Sequence, residues 1–122
     1  MFETYEKGAT KAPTWPEVTL LRKGSMHLNS EARRLLGDTD FVELLFDRER
    51  EVIGLRPSRP DSTNAYKLSG VRDVLWTISL ISFLKFYDID VTESRRRIPT
   101  LEKEILCVNL REPGVLVDRK TS

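Results

Sequence analysis

With 122 residues the chain has room for one core-bearing domain, and a second independent core would be too small to stand alone. Apolar residues at 39% against 32% charged exclude wholesale disorder. Twenty Lys+Arg against nineteen Asp+Glu leave a formal charge of +1, which excludes a long-range field for polyanions, so any nucleic-acid role has to come from local patches.

The residues 1–16 mix charges with Gly8, Pro13 and Pro16 and show no sustained period, so they read as a tail, with Phe2, Tyr5 or Trp15 available to dock. A single domain is expected over 17–117, followed by a tail at 118–122. Val18 and Leu20 alternate with Glu17 and Thr19, and Met26 and Leu28 alternate with Ser25 and His27, which predicts two short strands or one bent strand across Lys23-Gly24. Asn29 or Ser30 can cap a helix over residues 30–36 that Gly37 closes. Leu28, Ala32, Leu35 and Leu36 share one face of it, leaving Glu31, Arg33 and Arg34 towards water or a ligand. Residues 41–57 form a hairpin by pattern, its near-continuous apolar character predicting burial on both faces. Residues 57–64, with two prolines, are a loop dividing the chain into halves.

In the second half, residues 65–68 and 74–80 read as strands and 81–87 as a short helix that Ser79 or Ser82 can cap. A polar connection then leads to the basic run Arg95-Arg96-Arg97, a strand over 104–110 and a brief strand at Val115-Leu116-Val117. A shift of about fifty-two residues lays Ser25-Met26-His27-Leu28 on Thr77-Ile78-Ser79-Leu80 and aligns the two helices, so 17–57 and 65–110 are candidate pseudo-repeats and one chain would imitate a dimer.

No run approaches the ~20 apolar residues of a membrane span, the chain starts without a basic leader, and Cys107 sits alone in an apolar run, so no membrane role, a reducing cytoplasmic setting and a buried structural thiol are expected. His27 is the only histidine and has no second His or Cys at ligand spacing, so no metal site or Cys-His pair is encoded, and a strand-end packing role is favoured for it. Asp38, Asp40, Asp88 and Asp90 read as turn residues. The glycines form no phosphate loop or dinucleotide fingerprint and no nucleophile elbow occurs, so no cofactor and no enzyme activity are expected. Trp15 and Trp76 are expected to be largely buried anchors.

The motif Arg33-Arg34-Leu35-Leu36-Gly37, the preceding turn at Gly24 and the hairpin ending in Leu55-Arg56-Pro57 give residues 18–57 their most specific content. In this order the segment resembles the AbrB-like (SpoVT/AbrB) swapped-hairpin family of DNA-binding proteins, although its Gly24–Asn29 junction lacks the Arg and Pro that the family usually carries there. The resemblance implies an α+β fold, a small antiparallel β-barrel of swapped-hairpin type with two short helices, formed by a homodimer or by an intrachain pseudo-dimer. It also implies a nonenzymatic DNA-binding regulator touching the backbone or groove of double-stranded DNA through arginines on and before the helix, here Arg33 and Arg34 with Arg22 and Lys23.

Planar, permanently charged guanidinium forks suit phosphate contact and bidentate readout of guanine edges. Arg95, Arg96 and Arg97 are the densest positive charge in the chain and form a candidate phosphate-binding strip, with solvated loop charges as the plain alternative. The rival function is a protein–protein interaction or assembly module on the same barrel, which near-neutral charge favours.

Overall fold

In the computed structural model, which describes residues 1–7, 15–72 and 74–117, side-chain alternation sets the first hairpin. Strand β1 (Val18–Leu20) buries Val18 and Leu20, and β2 (Ser25–Asn29) buries Met26 and Leu28, so Thr19, Ser25 and His27 face the other way. Gly24 turns the hairpin at φ 99°, and a Cβ there would meet Ile81 Cγ1 at 2.8 Å, so the position demands glycine twice over.

Asn29 then starts α1 (Ser30–Leu35): its side-chain oxygen accepts from Ala32 N at 2.9 Å and from Glu17 N at 3.0 Å, tying the helix cap to the incoming strand. Gly37, at φ 77°, ends the helix, with Gly37 N donating to Arg34 O and Asp38 N to Arg33 O. The apolar run beyond becomes β3 (Phe41–Asp47), paired antiparallel with β4 (Val52–Pro57). Of this hairpin, Val42, Ile53 and Leu55 are fully buried while Leu45 is half-buried, so β3 is covered on one face and partly open on the other. Glu43 accepts from Arg56 at 2.8 Å and from Ser62 at 2.9 Å, which fastens the inter-half loop to the hairpin.

The second half runs β5 (Tyr66–Lys67), β6 (Ser69–Val71), β7 (Leu75–Ser79), α2 (Ile81–Phe86), β8 (Arg95–Arg97), β9 (Thr100–Glu102), β10 (Ile105–Asn109) and β11 (Val115–Leu116). Neither Ser79 nor Ser82 caps α2: its N-cap is Leu80, without a side-chain cap bond, and the Leu80 N–H is bonded at 2.8 Å to Gly24 O of the first hairpin. The helix ends as α1 does, with Asp88 at φ 53° in the position that Gly37 holds in α1.

The strands form two sheets, one of order β11-β8-β1-β2-β7-β6 and one of order β5-β3-β4-β10-β9. Each keeps two edges, so the expected closed barrel is not what the strands make; what stands is an α+β arrangement of mostly antiparallel sheets with two short helices. Residues from both halves share one core, with Met26, Leu28, Leu55, Leu80 and Leu106 at 0% exposure. The halves meet strand against strand: β2 pairs with β7 and β4 with β10, with Met26 opposite Ile78, the partner that a shift of fifty-two residues superposes, and Gly54 opposite Cys107, one residue beyond it.

Three expectations need correction. The basic run is not a loop but strand β8, held between β1 and β11. Trp15 is 52% exposed, its indole N–H spent on Glu17 at 2.9 Å. Trp76 is half-buried. The tail at 118–122 and residues 8–14 lie outside the described residues. Among the described residues no helix is long and apolar enough to cross a membrane.

Candidate nucleic-acid interface

The fold sorts the candidate cations by whether an acid already holds them. Arg33 is held most firmly, its side chain only 17% exposed. Its Nη2 donates to Asp40 Oδ1 at 2.8 Å and to Asp38 O at 2.9 Å, its Nη1 lies 3.6 Å from Asp38 Oδ1, and the guanidinium stacks 4.6 Å above the Trp76 ring. The fork thus joins the end of α1, the turn behind it and β7, and does not point to solvent as helical spacing suggests. Arg34 is 62% exposed and pairs with Glu31 at 2.5 Å, an i,i+3 contact of the sort worth a few tenths of a kcal/mol.

The strand β8 turns its arginines to alternate faces. Arg95 reaches Glu93 at 2.6 Å and Pro113 O at 3.0 Å, and Arg97 donates to Glu112 O at 2.8 Å, so both secure the segment leading to β11. Burial, and then the charge of Arg95, hold the Arg97 guanidinium below its usual pKa. Arg96, on the opposite face, lies 3.6 Å from Glu17 and is 45% exposed. Arg22 and Lys23 differ from all of these: both are exposed on the β1–β2 turn and have no ion-pair partner among the described residues.

Register places one continuous row of residues across the solvent face of the larger sheet: Val115, Arg96, Thr19, His27, Thr77 and Ser69. Ser25 and Ser79 lie opposite each other in the row nearer the Arg22-Lys23 turn. All but Val115 are polar, and small hydroxyls predominate at its centre. Such a surface lets another molecule approach the backbone closely and offers donors and acceptors with little side-chain bulk. His27 therefore belongs to this face and is not a strand-end packing residue. The signal for it is in the sequence: its neighbours Met26 and Leu28 alternate into the core and leave it outside.

Partial burial, and then the charge of Lys23, hold His27 below the ordinary histidine value of 6.5. The unfolded chain therefore takes up this proton first, and stability falls as pH drops from 6.5 through the folded midpoint. The single histidine makes this measurable: an NMR pH titration of its ring protons should give a midpoint under 6.5, which Lys23→Ala raises. A midpoint unmoved by that substitution would leave burial as the whole cause.

Cys107 lies on the solvent-side rows of the smaller sheet, opposite Gly54, and burial, reinforced by Glu102, pushes its thiol up to about 11. It is a protonated packing residue at neutral pH and no nucleophile. Among the described residues no group of His, Cys, Asp or Glu is placed to hold a metal ion. Compared with protein-family models, with curated proteins and with solved structures, the chain matches none of them.

Proposed function

We propose that this chain is a nonenzymatic DNA-binding regulator of the cytoplasm that lays the solvent face of its larger sheet on double-stranded DNA. The observation that carries the reading is the hydroxyl-lined centre of that face, built on the paired strands β2 and β7, with the unpaired Arg22 and Lys23 at one end and Arg96 at its flank. Because β2 and β7 lie inside a six-stranded sheet, which is wider than a major groove of about 12 Å, the face would meet the duplex across its backbone, with the β1–β2 turn reaching the groove. Exposed cations beside it would take the flanking phosphates. Arg33 serves this surface from behind, as a positioning residue that fixes Trp76 and β7, and Arg34, Arg95 and Arg97 take secondary places.

The same reading gives the fold its finer description, an AbrB-like swapped-hairpin architecture in which the halves 17–57 and 65–110 stand in for two copies. The pairing of Met26 with Ile78 and of Gly54 with Cys107 supports it, because about the seam between the halves β1, β2, β3 and β4 face β6, β7, β9 and β10, while β5, β8 and β11 have no counterpart.

Gel shift on mixed-sequence duplex at about 50 mM salt tests the function. The double change Arg22→Ala/Lys23→Ala should weaken binding about tenfold and reduce the salt slope by about 2, while Arg34→Ala changes little. Absence of any shift at low salt would remove the duplex reading. The rival, an assembly module, is favoured by one feature: the edge strand β9 exposes Leu101, at 46%, next to Ile98 at 61%. It predicts self-association or partner capture that Leu101→Lys abolishes.

A further inference from the structure

Further cations lie around α2. Residues Ile81, Ser82, Lys85 and Phe86 form the exposed side of this helix, while Phe83 and Leu84 are buried under it. At its start Ile81 packs on Gly24, adjoining Arg22 and Lys23 of the β1–β2 turn. One turn on, Lys85 shares the face of Ile81. Phe86 is 73% exposed and meets Tyr87 edge-on at 4.9 Å, and the Arg48 guanidinium lies over the other side of the cluster, 4.9 Å from the Tyr87 centroid. Phe46 and Phe83 back Tyr87 at 4.9 and 5.0 Å, so the aromatic group is held in place from beneath.

Cations thus lie at the start of α2 (Arg22 and Lys23, next to Gly24), on its exposed side (Lys85) and past its end (Arg48, over Tyr87), with the exposed Phe86 against Tyr87 between the last two. None of Arg22, Lys23, Lys85 and Arg48 has an ion-pair partner among the described residues, although acids pair with eight other arginines of the chain. The acid nearest in sequence to the platform is Asp88, just after Tyr87. A ligand that satisfies these cations carries repeated negative charge and presents flat π-faces from one side.

We propose that the exposed face of α2, with Arg22 and Lys23 at one end and Arg48 and Tyr87 at the other, binds single-stranded nucleic acid, its phosphates on the four cations and an unpaired base on Phe86. Paired bases are closed to Phe86, since stacking on a side chain needs a base out of its duplex stack. An acidic peptide would meet the same cations, but it gains nothing from a single protruding phenylalanine interrupted by Lys85, where protein interfaces place contiguous apolar anchors. The site shares only Arg22 and Lys23 with the duplex-binding face, and Lys85, Phe86 and Arg48 lie outside it.

The test is fluorescence anisotropy of a labelled oligothymidylate of about ten nucleotides at about 50 mM salt, with a duplex and an abasic strand of equal charge as separate arms. Phe86→Ala and Phe86→Leu should each weaken oligothymidylate binding about tenfold, Phe86→Tyr should retain it, and Lys85→Ala with Arg48→Ala should flatten its salt dependence. Duplex binding should be unaltered by the Phe86 variants, which separates this site from the strand face whether or not that face binds. Phe86 is exposed, so circular dichroism of the variants should match the parent. The proposal is overturned if oligothymidylate does not bind, if the abasic strand binds equally well, or if an acidic peptide competes at lower concentration with the same dependence on Phe86.

Discussion

Arg33→Ala is expected to lower the free energy of unfolding by about 2 kcal/mol, whereas Arg34→Ala, one residue on, should lower it by less than about 0.5 kcal/mol. The two arginines are chemically identical and lie in the same helix, so their environments decide the difference. Arg33 is mostly buried, spans from α1 to Asp40 and covers Trp76, so its removal leaves a carboxylate without its partner, an indole without its stacked cation and a gap between α1 and β7. Arg34 loses one solvent-screened pair. Arg33→Lys should recover less than half of the loss, since an ammonium cannot donate along two directions while lying flat on a ring. Urea unfolding of the three variants checks this, and equal midpoints for the two alanine variants would mean that the Asp40 and Trp76 contacts contribute nothing in solution.

The contrast explains what could be read from the sequence and what could not. Local rules sufficed where the determining partner is near in the chain: Asn29 caps α1 three residues away, Gly37 ends it, and the alternation of Val18, Leu20, Met26 and Leu28 sets both strands and their buried faces. They failed where the partner is remote. Helical spacing turns Arg33 outward, but Asp38 and Asp40 fold back under it and Trp76 arrives from the other half of the chain. The run Arg95-Arg96-Arg97 has no alternation to betray a strand, and it becomes one by pairing with the remote β1 and with β11. Pro99 then separates β8 from β9, two strands where the first half has the single strand β3. Lys85 and Arg48 are far apart in sequence, so the group of cations around α2 exists only once the hairpin tip carrying Arg48 is packed on Tyr87. The polar face was more legible than the arginines: the alternation that buries Met26 and Leu28 already exposes His27.

If two halves of one chain stand in for two copies, shortening the loop between them should turn a 14.1 kDa monomer into an exchanged dimer of about twice that mass. Pro57 and Tyr66 lie on either side of Val42, two strand spacings or about 10 Å apart, and the chain has to pass round the end of β3 to connect them. Deleting residues 59–64 leaves three Cα steps of 3.8 Å, enough for the straight distance and too few for the detour. The second half is then pulled away from its own β2 and β4, exposing the core that Leu28, Ile53, Leu55, Leu80 and Leu106 share. A second copy restores every strand pairing, β2 with the other copy's β7 and β4 with its β10, at the cost of one association step and with little added strain. Light scattering coupled to size exclusion should therefore show the intact chain as a monomer and the deleted chain as a dimer with the same circular dichroism, in a ratio that rises with concentration. A deleted chain that stays monomeric and folded would mean that the detour is not required, and one that unfolds without pairing would mean that the halves do not recognise each other across chains. The second result would remove the reading of the halves as stand-ins for two copies, while the polar face on β2 and β7, which rests on strand register, would stand apart from it.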